Sequence, residues 1–126
     1  MIVTGDQQPV EFFLTPGSMS DASGLQYFDF DLPPGSRIMG DKAYNNYEIE
    51  DIVADVEVKL KPIRKANSER QYDPCEAYVV SYHRQSVETA ASSIKRLMPS
   101  SIHAVTEQGF KLKVVLFILA SSIKML

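Results

Sequence analysis

The sequence predicts a mixed α/β fold in a single domain. Short apolar runs bounded by glycine and proline are typical of strands, and longer segments carry apolar residues at helical spacing. A length of 126 residues suits one hydrophobic core. Hydrophobic residues make up 44% of the chain, which is near the average for soluble globular proteins and argues against disorder.

The first third of the chain predicts a hairpin and then a strand that ends in an acid. Residues 2–4 and 9–14 predict the two strands of the hairpin, and residues 20–25 predict a short capped helix. The apolar run 37–40 then leads directly to Asp41. Because ligand sites in open α/β sheets collect beyond the carboxyl ends of strands, Asp41 is a candidate site residue. The alternative is that Asp41 only caps a turn, since Gly-Asp is a common turn pair.

A helix and a second strand follow Asp41. Asn45 or Asn46 is a suitable N-cap for the helix. Its apolar residues at helical spacing are Ile49, Ile52, Val53 and Val56. Residues 58–63 alternate between apolar and basic residues, which predicts a strand with one face in solvent.

Two longer helices complete the chain after a polar loop at residues 64–74. The first is predicted from about residue 78 to 97 and is stopped by Pro99. Its predicted apolar stripe comprises Val79, Tyr82, Val87, Ala90, Ala91, Ile94, Leu97 and Met98. The second covers residues 110–124, is apolar on most sides and is therefore expected to be mostly buried if the fold is intact.

Charge and cysteine content limit the classes of function. The formal net charge is −3, so the chain is not a simple basic protein that coats DNA, although a basic cluster follows the acidic first half. A single cysteine, Cys75, excludes an intrachain disulfide framework and favours a reducing compartment. No signal peptide or apolar span long enough for a bilayer is apparent, so a soluble cytoplasmic protein without a membrane partner is predicted.

Three features can carry chemistry. Asp41 follows a strand, and Glu88 lies on a helix with Arg84 and Lys95 at offsets of four and seven residues, on one face. A basic stretch covers residues 59–65. Two converging carboxylates can hold Mg²⁺ together with phosphate oxygens, and nearby cations attract a polyanionic substrate.

Each feature also has a structural interpretation. Arg84 and Glu88 form an ordinary helical i,i+4 pair in that case, and the basic stretch is the solvated face of a strand. His83 and His103 do not sit at paired ligand spacings, so a zinc site is not expected.

Several motifs, in order along the chain, resemble the DDE transposases of bacterial insertion sequences. The main ones are GDKAYN at residues 40–45, PIRKANS at 62–68 and RQSVET at 84–89. FFLTPGS at residues 12–18 and SIHAVT at 101–106 are similar to the same group. The resemblance covers nearly the whole chain.

The resemblance implies an RNase-H-like catalytic core, in which a mixed five-stranded sheet has helices on both faces. Three acids of this core bind two Mg²⁺ or Mn²⁺ ions for DNA strand cleavage and transfer. By resemblance, Asp41 is the second acid and Glu88 the third. Arg84 and Lys95 fit the spacing of the signature around the third acid, whereas Tyr82 is one residue closer to the arginine than that signature expects.

The partner implied by the resemblance is DNA, both at the transposon ends and at the target. The residues predicted to contact it are Lys42, Lys59, Lys61, Arg64, Lys65, Arg84 and Lys95. A full-length transposase, or self-association, is a further expected partner.

The sequence departs from the family at its start. The first acid of the family lies on a strand upstream of the hairpin, and Asp6 in the hairpin turn does not replace it. Residues 1–126 are therefore expected to form one partial, truncated RNase-H-like domain that lacks the first strand, is marginally stable and is inactive alone. The alternatives are a non-enzymatic DNA-binding or transposase-interacting remnant, and an unrelated metal-dependent hydrolase.

Overall fold

The structure, a computed structural model, describes residues 1–124 and 126. The chain forms two compact units, of which one comprises residues 15–85 and the other combines residues 1–14 with 86–126. Helices and short strands alternate along the chain, so the predicted mixed α/β class is confirmed. The described strands form two separate two-stranded sheets.

The unit of residues 15–85 is built on a parallel pair of strands. These are β3, Arg37–Gly40, and β4, Lys59–Pro62, with Ile38 opposite Leu60 and Gly40 opposite Pro62. A short helix α1, Asp21–Gly24, precedes β3. Helix α2, Tyr47–Ala54, connects the two strands, as a parallel pair requires.

The sequence explains the start of α2. Asn46 is its N-cap, and the side-chain oxygen of Asn46 accepts a hydrogen bond from the backbone N–H of Ile49 at 3.2 Å. Glu48 and Glu50 lie in the first turn, where the helix dipole favours negative charge.

The core of this unit lies between α2 and β4. Its buried residues are Leu25, Ile49, Val53, Val58 and Leu60. Val58 and Leu60 are buried while Lys59 is exposed, which confirms the predicted alternation. Two residues of the predicted α2 stripe differ, because Ile52 and Val56 are exposed. The helix ends at Ala54, so Val56 lies beyond it, and the buried face of α2 includes Glu50 instead of Ile52.

Helix α3, Pro74–Leu97, begins four residues before the predicted start at residue 78. The early start has a local cause, because the Asp73 carboxylate accepts a hydrogen bond from the Glu76 backbone N–H at 2.9 Å and proline suits the first helical position. Tyr82, predicted on the apolar stripe, is 60% exposed. Within residues 74–85 of α3, the buried residue is Val80.

The other unit contains the hairpin and the last helix. Strands β1, Ile2–Val3, and β2, Pro9–Glu11, pair in antiparallel fashion, as predicted. Helix α4, Glu107–Lys124, buries Val114 and Ile118 against Ile94 of α3.

The prediction that α4 is mostly buried is wrong. Four of its large apolar side chains are 49–69% exposed, namely Leu112, Leu116, Leu119 and Ile123. The helix packs along one narrow line, which comprises Val114, Ile118 and Ser121. Among the described residues, no helix is long and apolar enough to cross a membrane.

Adjacent residues of β4 give a direct test of where the core lies. Leu60→Ala removes a buried side chain and should lower the free energy of unfolding by about 2–5 kcal/mol. Lys59→Ala changes an exposed neighbour and should stay within about 0.5 kcal/mol of wild type. Urea denaturation followed by circular dichroism measures both, and equal effects would contradict this placement of the core.

Candidate functional site

Asp41 lies immediately after β3 and starts a short 3₁₀ helix, Lys42–Tyr44. Its Oδ1 accepts a hydrogen bond from the Lys42 backbone N–H at 2.6 Å. A Cβ at Gly40 would come within 3.1 Å of the Tyr44 ring, so any larger residue before Asp41 would require this ring to shift. The turn-capping role considered for Asp41 is therefore present, and the second carboxylate oxygen is left for another partner.

Arg84 lies beside that second oxygen. Its guanidinium nitrogen is 3.6 Å from Asp41 Oδ2, and the two side chains are 42% and 49% exposed. Such an exposed pair contributes about 0.2–1 kcal/mol, so it does not fix either side chain strongly. Two residues predicted as site residues, from distant parts of the sequence, are thus neighbours within the unit of residues 15–85.

Glu88 and Lys95 lie on the part of α3 that belongs to the other unit, and both are exposed. Within residues 1–124 and 126, no group of three or more His, Cys, Asp or Glu side chains is placed to hold a metal ion. A three-acid metal centre is therefore not assembled by the described residues, and the roles of Asp41 and Glu88 as metal ligands stay predictions.

Arg64 was predicted to contact DNA, but its side chain is only 7% exposed. Its two terminal nitrogens donate to the two carboxylate oxygens of Glu50, at 2.5 and 2.8 Å. Glu50 is itself 8% exposed, so the pair is buried. This forked geometry is the strong form of the arginine–carboxylate interaction, and it directs the Arg64 charge inward.

Aromatic rings and a second arginine surround this buried pair. The Arg64 guanidinium lies 4.7 Å from the centre of the Tyr72 ring, and Arg70 lies 4.5 Å from the centre of the Tyr47 ring. Arg70 also donates to Asp51 at 2.8 and 3.1 Å.

The pKa values of these groups follow from the contacts. The hydrogen bonds that Arg64 donates to the Glu50 carboxylate raise the pKa of Arg64, and burial raises the pKa of Tyr72 to about 12. Hydrogen bonding to Arg70 lowers the pKa of Asp51. Arg64, Arg70 and Asp51 are therefore charged near neutral pH, while Tyr72 is not ionised.

Asn45 links the Asp41 turn to the strand beside it. Its side-chain amide donates to the Lys42 carbonyl at 2.9 Å and to the Ile63 carbonyl at 2.6 Å. The Ile63 backbone N–H donates to the Gly40 carbonyl at 2.9 Å. These bonds hold the residues on both sides of Asp41 against the end of β4.

The remaining predicted DNA contacts divide into paired and exposed lysines. Lys61 forms an ion pair with Glu76 and is 24% exposed. Lys42, Lys59 and Lys65 are exposed. The basic stretch therefore supplies fewer free charges to the surface than its sequence indicates.

Sequence reasoning missed Glu50, Tyr47 and Tyr72. One signal was present for Glu50, because it stands next to Ile49 and three residues before Val53, on the face of α2 that becomes buried. A buried carboxylate needs a cation beside it, and Arg64 supplies that cation at 2.5 Å from Glu50.

Comparisons with family models, curated proteins and solved structures found no match. The likeness to DDE transposases therefore depends on the motifs of this sequence alone.

The buried Arg64–Glu50 pair can be tested by removing one charge. Glu50→Gln leaves the Arg64 charge buried without its counter-ion and should lower the free energy of unfolding by about 3–5 kcal/mol. Glu48→Gln, at an exposed position in the first turn of the same helix, loses only the favourable interaction with the helix dipole and should lower it by no more than about 1 kcal/mol. Urea denaturation of the two variants checks this.

A double replacement separates charge from packing. Glu50→Leu combined with Arg64→Met removes both buried charges and should recover much of the stability lost in Glu50→Gln. A Glu50→Gln protein as stable as wild type would show that the pair is dispensable.

Proposed function

We propose that this chain is part of the catalytic domain of an insertion-sequence DDE transposase and acts on transposon DNA. The observation that carries the proposal is the position of Asp41, which follows a parallel strand and lies 3.6 Å from the Arg84 guanidinium. An acid at a strand end beside a cation suits a site that handles phosphate groups. The ordered sequence motifs point to the same class of protein.

The pairing of the strands supports an RNase-H-like arrangement. In that fold the first strand lies centrally, between the hairpin and the strand that carries the second acid. The described residues form an antiparallel pair, β1 with β2, and a parallel pair, β3 with β4. Asp41 directly follows β3. The antiparallel pair has the pairing expected of the hairpin in that fold, and the parallel pair has the pairing expected of the strand that carries the second acid.

Mg²⁺ or Mn²⁺ is the metal that this class of enzyme requires, and Asp41 and Glu88 are its proposed ligands. The described residues do not fit a complete two-ion site, because no three acids are grouped. On this proposal Asp41 and Glu88 are two of the three acids, and these residues alone should not cleave DNA.

Manganese binding tests the proposed role of Asp41. Paramagnetic Mn²⁺ should broaden the amide resonances around Asp41 and Glu88, because carboxylates are the expected ligands. Asp41→Asn should abolish the broadening around residue 41, whereas Asp6→Asn in the hairpin turn should not. Nuclear magnetic resonance spectra recorded during a Mn²⁺ titration measure this, and wild-type spectra without local broadening would refute the ligand role.

The second candidate is a non-enzymatic protein that binds DNA or a full-length transposase. It is favoured by the absence of a three-acid group among the described residues, together with the exposed lysines Lys42, Lys59 and Lys65. These lysines can contact DNA phosphates whether or not a metal site is complete.

Plasmid nicking distinguishes the two candidates. The chain alone should not nick supercoiled DNA with Mg²⁺ or Mn²⁺. If the enzyme proposal holds, a protein in which the family's first strand, with its acid, is fused before residue 1 should nick the DNA, and Asp41→Asn should abolish this nicking. DNA binding without nicking in both cases would favour the second candidate. Nicking by the chain alone that persists in Asp41→Asn would contradict both.

A further inference from the structure

A cavity of about 240 Å³ opens on the unit of residues 15–85, beside the turn that follows Asp41. Its lining residues are Asn45, Tyr47, Lys65, Asn67 and Ser68. Sites for drug-sized organic ligands are larger, about 300–1,000 Å³, and mostly apolar. A small cavity whose lining residues all carry a polar group suits a compact polar group instead.

The wall of this cavity is held in place by hydrogen bonds. The Tyr47 hydroxyl and the Ser68 hydroxyl are 2.6 Å apart, and the Glu69 backbone N–H donates to the Tyr47 hydroxyl at 3.0 Å. The Gln71 side-chain amide donates to the carbonyls of Lys65 and Ser68, at 2.8 and 3.1 Å. The turn at residues 65–68 is therefore shaped before any ligand arrives.

The charges around the cavity favour an anion. Arg64 is neutralised by Glu50, and Arg70 by Asp51. Lys65 lines the cavity, and no described carboxylate forms an ion pair with it. None of the five lining residues is acidic. The cavity thus contains one uncompensated positive charge.

The polar groups match those that bind phosphate. Lysine, serine, asparagine and tyrosine side chains are common donors to the phosphate oxygens of nucleic acids. The Asn67 side chain has no hydrogen-bond partner among the described residues, so it is available to a ligand. Asn45 in the cavity wall also holds the Lys42 carbonyl, which connects the cavity to the Asp41 turn.

We propose that this cavity binds one phosphodiester group of the DNA strand that passes Asp41, with Lys65 and Asn67 as the principal contacts. The inference rests on the proposed function, since it assigns a position to the DNA backbone. Lys65 supplies the charge, and Asn67 and Ser68 orient the phosphate oxygens. The site recognises the backbone and not the sequence of bases.

The salt dependence of DNA binding tests the proposal with three variants of the full chain. Lys65→Gln should weaken binding of a fluorescent duplex of arbitrary sequence and reduce the slope of log K against log salt by about 0.9, the value for one phosphate contact. Asn67→Ala should weaken binding without changing the slope, because asparagine carries no charge. Lys124→Gln, an exposed lysine on α4, should change neither quantity. Fluorescence anisotropy between about 50 and 200 mM salt measures both.

The outcomes separate this site from the proposed function. If the chain binds DNA but Lys65→Gln and Lys124→Gln have equal effects, the cavity is not a phosphate site, although DNA binding stands. If the chain binds no DNA but inorganic phosphate shifts the amide resonances of residues 65–68 and Lys65→Gln abolishes the shift, the cavity is a site for a free phosphate and the DNA assignment fails. Circular dichroism melting curves that match wild type confirm that each variant is folded.

Discussion

The unit of residues 15–85 depends on the buried Arg64–Glu50 ion pair. Both side chains are less than 10% exposed, so neither charge can be removed alone without leaving the other in a low-dielectric surrounding. The pair joins α2 to the chain just after β4. Asn45, whose side-chain oxygen lies 3.4 Å from the same guanidinium, extends this connection to the turn after Asp41. Asn45 also lines the cavity with Lys65, so the same residue contacts the ion pair, the Asp41 turn and the cavity.

This constraint changes how the basic stretch is interpreted. The four basic residues in the stretch 59–65 resemble a uniform surface for a polyanion, yet Arg64 faces inward and Lys61 is paired with Glu76. Only Lys59 and Lys65 keep exposed, uncompensated charge. In the proposed complex with DNA, the charge contributed by this stretch would come from Lys59 and Lys65, and Arg64 would act only through the shape of the loop.

The sequence was sufficient where local rules decide the structure. The Asn46 cap and the burial of Val58 and Leu60 follow from capping and alternation, which need no knowledge of the partner element. The burial of Glu50 and the exposure of Leu116 on α4 depend on which elements pack together. Hydrophobic periodicity identifies the apolar face of a helix, but it does not show which other element packs against that face. The burial of Glu50 and the exposure of Leu116 were therefore not predicted.

In the candidate site, too, local sequence rules identify a residue, and tertiary packing determines its contacts. Asp41 was found by its place after a strand, but its contact with Arg84 needed the fold. The two carboxylate oxygens have separate partners, the Lys42 N–H for Oδ1 and Arg84 for Oδ2. A metal ion at Asp41 would compete with the Arg84 cation for Oδ2, and that contact is long and exposed. If Asp41 binds a metal ion as proposed, the loss of the Arg84 contact would cost no more than about 1 kcal/mol, while the capping hydrogen bond at Oδ1 would keep the carboxylate in place.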